Sequence, residues 1–157
     1  MFTTRRTENR RYVERLAGAE IFSKCDRREL RAIASLCTPI DVRAGRTLTH
    51  QGSVGRECFV ILAGHAVVER DGVMIAHVGA GSIVGEMALL GDGIRTATVI
   101  AASDMTLLVM SRSEFATMRA LGIGHGTVTP TLEAIVEERR ALLEQPPVSM
   151  PTPVAVC

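Results

Sequence analysis

The chain has 157 residues, 46% of them hydrophobic and 22% charged, and this length suits one domain, with no room for a second domain that has its own core. Eighteen basic residues against seventeen acidic ones leave a formal net charge of +1, which excludes a surface that coats nucleic acid through bulk positive charge. The only lysine, Lys24, lies in Ser-Lys-Cys-Asp, so the Gly-Lys-Ser/Thr phosphate loop of nucleotide hydrolases is absent.

Neither the cysteines nor the N-terminus points to secretion. The four cysteines are scattered without a Cys-x-x-Cys pair, which disfavours a disulfide framework or a thiolate zinc site and predicts free thiols in a reducing cytosol. The first fifteen residues carry five arginines but lack the apolar segment that a signal peptide requires. Both features predict a cytoplasmic location.

Residues 72–91 have to be tested as a membrane span, because Glu86 is the only formal charge in twenty residues. Five glycines interrupt the stretch, and a carboxylate well inside a span costs roughly a few kcal/mol. Glycines at short intervals suit turns and close backbone contacts better than a spanning helix. We therefore predict β structure here and no membrane span.

The residues before position 38 have helical periodicity. A short helix is predicted over residues 8–17. Asp26 followed three residues later by Glu29 is a capping box, and apolar residues recur behind it at helical spacing as far as Cys37.

Residues 39–110 are rich in Val, Ile and Thr and are interrupted by glycines, which is typical of short strands. Residues 58–62 predict a buried strand. Two strand pairs are predicted with their turns, 66–70 with 73–76 around Asp71-Gly72, and 96–102 with 105–110 around Ser103-Asp104. Several short strands at this spacing predict a sandwich or barrel.

The remaining residues are again helical in pattern. Ser111 and Glu114 form a second capping box that opens a helix. A glycine-rich joint at 122–126 precedes a final helix at 131–145, and the proline-rich residues 146–157 predict a disordered tail.

One segment carries the chemistry: Val84-Gly85-Glu86-Met87-Ala88-Leu89, a gap, and Arg95-Thr96-Ala97-Thr98-Val99. Glu86 is a carboxylate in apolar surroundings and needs hydrogen-bond donors, whereas Arg95 needs an acceptor and fits the geometry of phosphate. A ligand with a phosphate and sugar hydroxyls satisfies both. An intramolecular Glu86–Arg95 salt bridge does so too, and the spacing alone leaves both possibilities open.

This segment resembles the phosphate-binding cassette of the cyclic nucleotide-binding domain family, the sensor domain of catabolite activators and kinase regulatory subunits. It matches the family pattern of Gly-Glu-x-small-aliphatic, a gap, and Arg-Ser/Thr/Ala-Ala. The first family signature is recognisable in residues 52–64, with Gly52 and Gly64 at the expected separation and departures at Ser53 and Cys58. The resemblance covers roughly residues 19–143.

The resemblance implies a mainly β fold with flanking helices. It predicts an eight-stranded antiparallel jelly-roll barrel with N-terminal helices and a C-terminal lid helix. The chain would then divide into an N-terminal helical arm (1–18), the domain with its lid helix (19–145) and the tail (146–157).

The resemblance also implies ligand-binding roles for seven residues. Glu86 would accept the ribose 2′-hydroxyl and Arg95 would pair with the cyclic phosphate. The other five would shape the pocket: Gly85 by close backbone approach, Met87 and Ala88 through amides that cradle the phosphate, Thr96 through a hydroxyl that touches the phosphate and a syn guanine, and Val84 beside the sugar or base.

The expected function is a stand-alone cytosolic receptor that binds a cyclic nucleotide, moves its C-terminal helix and signals to an unknown effector protein. Prevalence in the family favours cAMP over cGMP. We expect no metal, no catalysis and no direct contact with nucleic acid, and a monomer or weak homodimer.

Two other functions stay open on the sequence: a ligand-free structural or dimerisation module, and a transcription regulator truncated before its DNA-binding domain. Fourteen residues follow Leu143, too few for a winged helix-turn-helix. Among polar residues of the last helix, Glu137, Glu138 and Arg139 are candidates to touch the base. Arg139-Arg140 is otherwise predicted to be a solvated helix face.

Overall fold

The computed structural model of the chain describes residues 3–120, 134, 137–141 and 144. Within that part the helical elements are α1 Thr3–Ala17, a 3-10 turn Glu20–Phe22, α2 Arg27–Leu36, α3 Glu86–Leu90 and α4 Arg112–Ala120. The strands are β1 Thr38–Val42, β2 Thr47–Thr49, β3 Glu57–Ala63, β4 His65–Arg70, β5 Val73–Gly79, β6 Ile83–Val84, β7 Thr98–Ala101 and β8 Met105–Ser111. Residues 137–141 are also helical and are called the C-terminal helical segment below.

The strands form two antiparallel four-stranded sheets, in the orders β1-β8-β3-β6 and β2-β7-β4-β5. One hydrophobic cluster lies between them, because Phe59 and Ile61 of the first sheet pack with Ala66 and Val99 of the second. The mainly β fold with flanking helices, predicted from the resemblance, is confirmed.

A second hydrophobic cluster joins the outer face of the first sheet to the helices. Alternate residues of β3, Cys58, Val60 and Leu62, face α1, α2 and α4. Leu16 of α1 and Ile33 of α2 are fully buried in this cluster. Since β3 is covered on both faces, its sequence is a continuous apolar run without polar alternation.

The capping boxes predicted from the sequence are confirmed. The amide of Glu29 donates to Asp26 Oδ1, and the amide of Asp26 donates back to Glu29 Oε2. Ser111 and Glu114 make the same reciprocal pair at the start of α4. The first helix begins at Thr3 rather than residue 8, so that prediction was too short.

The predicted pairing of residues 96–102 with 105–110 is wrong. β7 pairs with β2 and β4, whereas β8 pairs with β1 and β3 in the other sheet. The bend between them is anchored outside any hairpin, because Ser103 Oγ accepts from the amide of His65 and Asp104 Oδ1 accepts from the amide of Ala44. Ser103-Asp104 therefore carries the chain from one sheet to the other.

The confirmed hairpin is the one around Asp71-Gly72, where both residues have positive φ and join β4 to β5.

The glycine joint at 122–126, most of the last helix and the tail at 146–157 lie outside the described residues. Cys37 and Cys58 are free thiols, and burial raises the pKa of Cys37 to about 12. In the described ranges, no helix is both long enough and apolar enough to cross a membrane.

Candidate functional site

A cavity of about 120 Å³ opens where β4, β5 and β6 meet α3. All seven residues predicted to bind ligand line it: Val84, Gly85, Glu86, Met87, Ala88, Arg95 and Thr96. The fold therefore brings the seven predicted residues to one cavity. Their contacts with a ligand stay predictions.

Gly85 turns the chain from β6 into α3 and brings two functional groups together. Its φ is +88°, a left-handed conformation that glycine adopts without strain. A Cβ at this position would lie 2.5 Å from Arg95 Nη1 and 2.9 Å from the carbonyl oxygen of Glu57. The absence of a side chain is what lets the arginine pass beside the start of α3.

Glu86 is the first residue of α3, and its side chain is fully buried. Its Oε1 accepts a hydrogen bond from Arg139 Nη1, while its Oε2 has no hydrogen-bond partner within the part of the chain that the structure describes. Burial raises the pKa of Glu86, although Arg139 acts in the opposite direction. A buried carboxylate oxygen that lacks a hydrogen-bond partner and lies on a cavity wall can accept a hydrogen bond from a ligand in that cavity.

Arg95 is 6% exposed and reaches the cavity from the other arm of the motif. Its Nη1 donates to the carbonyl oxygen of Gly85 at 3.1 Å, and its Nη2 lies 4.0 Å from Glu57 Oε1. Desolvation lowers the pKa of Arg95, with Glu57 opposing the shift. A half-exposed carboxylate at that distance compensates the guanidinium weakly.

The alternative of a Glu86–Arg95 salt bridge is wrong for this structure, because Glu86 pairs with Arg139 and Arg95 pairs with Glu57. The two groups line the same cavity without neutralising each other. That arrangement leaves a buried acceptor and a buried cation available to one ligand.

The rest of the lining is mostly apolar. Thr96 Oγ1 lies 3.7 Å from Met87 Sδ, and Thr49 Oγ1 donates to the carbonyl oxygen of Ala97. The apolar lining residues outside the motif come from the β4–β5 hairpin: Val68, Ile75, Ala76 and Val78. Val99, the last residue of the motif, adds to them from β7. Such a surface suits the flat faces of a nucleobase, while Glu86 and Arg95 supply the polar end.

Arg139 corrects the prediction of a solvated helix face. Its side chain is 28% exposed, and besides Glu86 it binds the carbonyl oxygen of Ile83 through Nη2 at 2.8 Å. Arg140 does fit the prediction, because it is exposed and pairs with Glu137. The sequence carries no signal that singles out Arg139 as the partner of Glu86, because the motif itself offers Arg95 as the nearer candidate cation.

Within residues 3–120, 134, 137–141 and 144, no group of three or more His, Cys, Asp or Glu residues is arranged to hold a metal ion.

Comparison with known proteins identifies the family. The profile described as "Cyclic nucleotide-binding domain" matches residues 39–120. The cGMP-dependent protein kinase egl-4 of Caenorhabditis elegans is 38% identical over 73 residues, 46% of this chain and 9% of the kinase. A cyclic nucleotide-gated potassium channel of Rhizobium etli is 30% identical over 125 residues, 80% of this chain and 34% of the channel. The chain thus spans less than half the length of either relative.

Solved structures share the fold. Cyclic-AMP-bound PfPKA-R superposes with a TM-score of 0.79 at 23% identity, covering 87% of this chain and 46% of that one. The regulatory subunit of a cAMP-independent protein kinase A from Trypanosoma brucei gives 0.74 at 22% identity, covering 88% and 52%. These likenesses establish the fold and leave the ligand to the site itself. Since the family profile spans more than half of the residues, the chain belongs to the cyclic nucleotide-binding domain family.

Proposed function

We propose that this chain is a cyclic nucleotide receptor that holds the ribose and cyclic phosphate of one nucleotide in the cavity beside α3. The observation that carries the proposal is that Glu86 and Arg95 line one cavity without pairing with each other, and that Glu86 Oε2 has no hydrogen-bond partner among the described residues. A ribose hydroxyl supplies the donor that Oε2 lacks. A phosphate oxygen supplies the acceptor that suits a desolvated guanidinium.

We favour cAMP over cGMP as the ligand. The part of the lining that β4 and β5 contribute, Val68, Ile75, Ala76 and Val78, offers no hydrogen-bonding side chain to a base edge. Guanine has more donors and acceptors to satisfy than adenine, so an apolar wall penalises it more. The hydroxyl of Thr96 is the group that accommodates a guanine amine, and it keeps cGMP as the second candidate.

Arg139 couples ligand binding at Glu86 to the C-terminal helical segment. One oxygen of Glu86 accepts from Arg139, and the ribose takes the other, so a single carboxylate joins the nucleotide to the helix. The segment then acts as a lid whose position is sensed by an effector protein. We propose that the chain acts through binding rather than catalysis, and in the cytoplasm, where its thiols stay reduced.

The test is calorimetric titration of the purified chain with cAMP and with cGMP at one salt concentration. We expect the wild-type protein to bind cAMP more tightly than cGMP. Arg95→Ala removes charge-assisted bonds to the phosphate and is expected to weaken cAMP binding roughly 100- to 1,000-fold.

The matched control is Arg119→Ala, which removes an exposed arginine from α4 and is expected to leave binding unchanged. Unchanged cAMP affinity in Arg95→Ala refutes the site. A wild-type protein that binds neither nucleotide refutes the receptor and favours the ligand-free structural module.

A further inference from the structure

Gln51 connects two parts of the protein that both contribute to the cavity, the arm that carries Arg95 and the β4–β5 hairpin, which the motif itself does not connect. Its Nε2 donates to Asp71 Oδ1 at 2.8 Å, and its Oε1 accepts from the amide of Asp71 at 2.8 Å. These two reciprocal bonds, called the Gln51–Asp71 clamp below, tie the segment before β3 to the turn of the β4–β5 hairpin. The residues are twenty positions apart, so the clamp is a tertiary contact.

On one side, the clamp is attached to the arm that carries the phosphate-binding arginine. The amide of Gly52, the residue after Gln51, donates to the carbonyl oxygen of Arg95 at 2.8 Å. The amide of Arg95 donates to the carbonyl oxygen of Ser53 at 2.8 Å. These two hydrogen bonds fix the position of the Arg95 backbone relative to the residues that follow Gln51.

On the other side, the clamp holds the hairpin that supplies the apolar wall. Val68 lies on β4, and Ile75, Ala76 and Val78 lie on β5, all against the cavity. Within the described part of the chain, β5 pairs with β4 alone, so one edge of the hairpin has no strand beside it. Contacts at the turn matter more for the position of such an edge than for a central strand.

Asp71 is the residue on which the clamp closes, and its backbone is unusual. Its φ is +52°, and it is the only non-glycine residue with positive φ among those described. A side chain in this conformation persists where its surroundings hold it. The clamp uses both the amide and the carboxylate of Asp71, so it fixes the orientation of the turn as well as its distance.

We infer that Gln51 is a positioning residue that fixes the separation between the arginine arm and the apolar wall, and so the fit of a bound nucleotide from its phosphate to its base. The inference rests on the proposed function, because it concerns the same cavity. Neither Gln51 nor Asp71 lines the cavity, so the effect is indirect.

The test uses three variants of the full chain. Gln51→Glu keeps the acceptor for the amide of Asp71, but it loses the donor and places two carboxylates together. Gln51→Met removes both bonds without adding charge. Gln51→Glu combined with Asp71→Asn restores the clamp with the side-chain donor on the opposite partner, and Asn tolerates positive φ.

Affinities for cAMP and cGMP are measured by calorimetry, and thermal midpoints are recorded for each variant. Both single variants are expected to weaken cAMP binding roughly three- to tenfold, as is typical of residues coupled to a site without touching it. They are also expected to change the ratio of the cAMP and cGMP affinities, which general destabilisation does not do. The double variant is expected to recover both the affinity and the ratio.

Arg70→Gln is the matched control, because it removes only the exposed 3.9 Å ion pair to Asp71 and leaves the clamp intact. If both single variants bind both nucleotides as the wild type does, the inference fails while the receptor stands. If the double variant binds no better than Gln51→Glu, the clamp is not the cause and the inference also fails. Failure of the wild-type protein to bind either nucleotide is instead the failure of the proposed function.

Discussion

Burial of the Glu86 carboxylate has a cost in stability that depends on pH. Its desolvation raises its pKa above the usual value of 4.5, which means that the ionised form opposes folding. Below that value the carboxyl is protonated in both states and contributes no difference. Above it, the unfolded chain loses the proton first, so stability falls as pH rises towards the folded-state pKa and stays lower beyond it.

Glu86→Gln is therefore expected to be more stable than the wild type at pH 7. The amide does not titrate, and its oxygen can still accept from Arg139, so the cost of burying a charge is removed. Urea denaturation from pH 4 to 8 measures the difference in free energy of unfolding. That difference should vanish near the usual carboxyl pKa, because Glu86 is then protonated in both the folded and the unfolded state. The measurements at low pH therefore serve as the control for those at pH 7. A variant less stable than the wild type at pH 7 contradicts the direction of the shift.

The same substitution is expected to weaken nucleotide binding. A hydrogen bond to a charged acceptor contributes roughly ten- to hundredfold in affinity, and Glu86→Gln loses the charge. Comparison of cAMP with 2′-deoxy-cAMP isolates the contact, because the wild type should discriminate between them and the variant should discriminate much less. Equal discrimination in both proteins would assign the ribose hydroxyl to another group.

That Glu86 and Arg95 lie at the same cavity could be predicted from the sequence, because a single motif contains both residues. Whether they pair with each other could not be predicted, since a spacing of nine residues is compatible with a salt bridge and with a shared ligand. Arg139 could not be predicted either. Neighbouring residues on a helix point about 100° apart, so the choice between Arg139 and Arg140 depends on how the helix lies against the cavity.

Among the secondary-structure elements, the sequence predicts the features that depend on residues close together in the chain. The capping boxes and the Asp71-Gly72 turn were predicted because each is a contact between residues close in the chain. The partners of β7 and β8 were predicted wrongly for the opposite reason. A short turn between two strand-like segments is the same whether the chain folds back or crosses to a second sheet.

The C-terminal helical segment is the element whose behaviour the ligand should change. With Arg139 bound to Glu86 and the nucleotide bound to the other oxygen of the same carboxylate, cAMP is expected to slow amide hydrogen exchange in residues 137–141. Arg139→Gln is expected to abolish most of that added protection, because the link to Glu86 is lost. Mass spectrometry of deuterium uptake at saturating cAMP measures both.

Arg140→Gln is the matched control for this prediction. It removes the next arginine along the same helix, which pairs with Glu137 at the surface and not with Glu86. It should keep the protection that cAMP confers. Equal exchange with and without cAMP in the wild type would contradict the lid, and loss of protection in both variants would assign the effect to helix stability.

For the whole molecule, the division into two hydrophobic clusters separates stability from binding. Helices α1, α2 and α4 pack on the outer face of the first sheet, whereas the proposed binding cavity is lined mainly by the second sheet and the β6–α3 segment. The helical cluster includes Val13 and Leu16 of α1, so this helix contributes to the core of the domain. A change there should alter the free energy of unfolding without reaching the ligand.

Leu16→Ala tests this separation, because Leu16 is fully buried among the helices and does not line the cavity. Truncating a buried leucine costs about 2–5 kcal/mol of stability through lost burial and the space left behind. The affinity for cAMP, measured well below the thermal midpoint, is expected to stay within about twofold of the wild type, since distant sites act additively. Arg95→Ala should give the opposite pattern, with weak binding and a smaller change in stability. If Leu16→Ala weakens cAMP binding as strongly as it destabilises the fold, the helices are part of the binding machinery rather than its support.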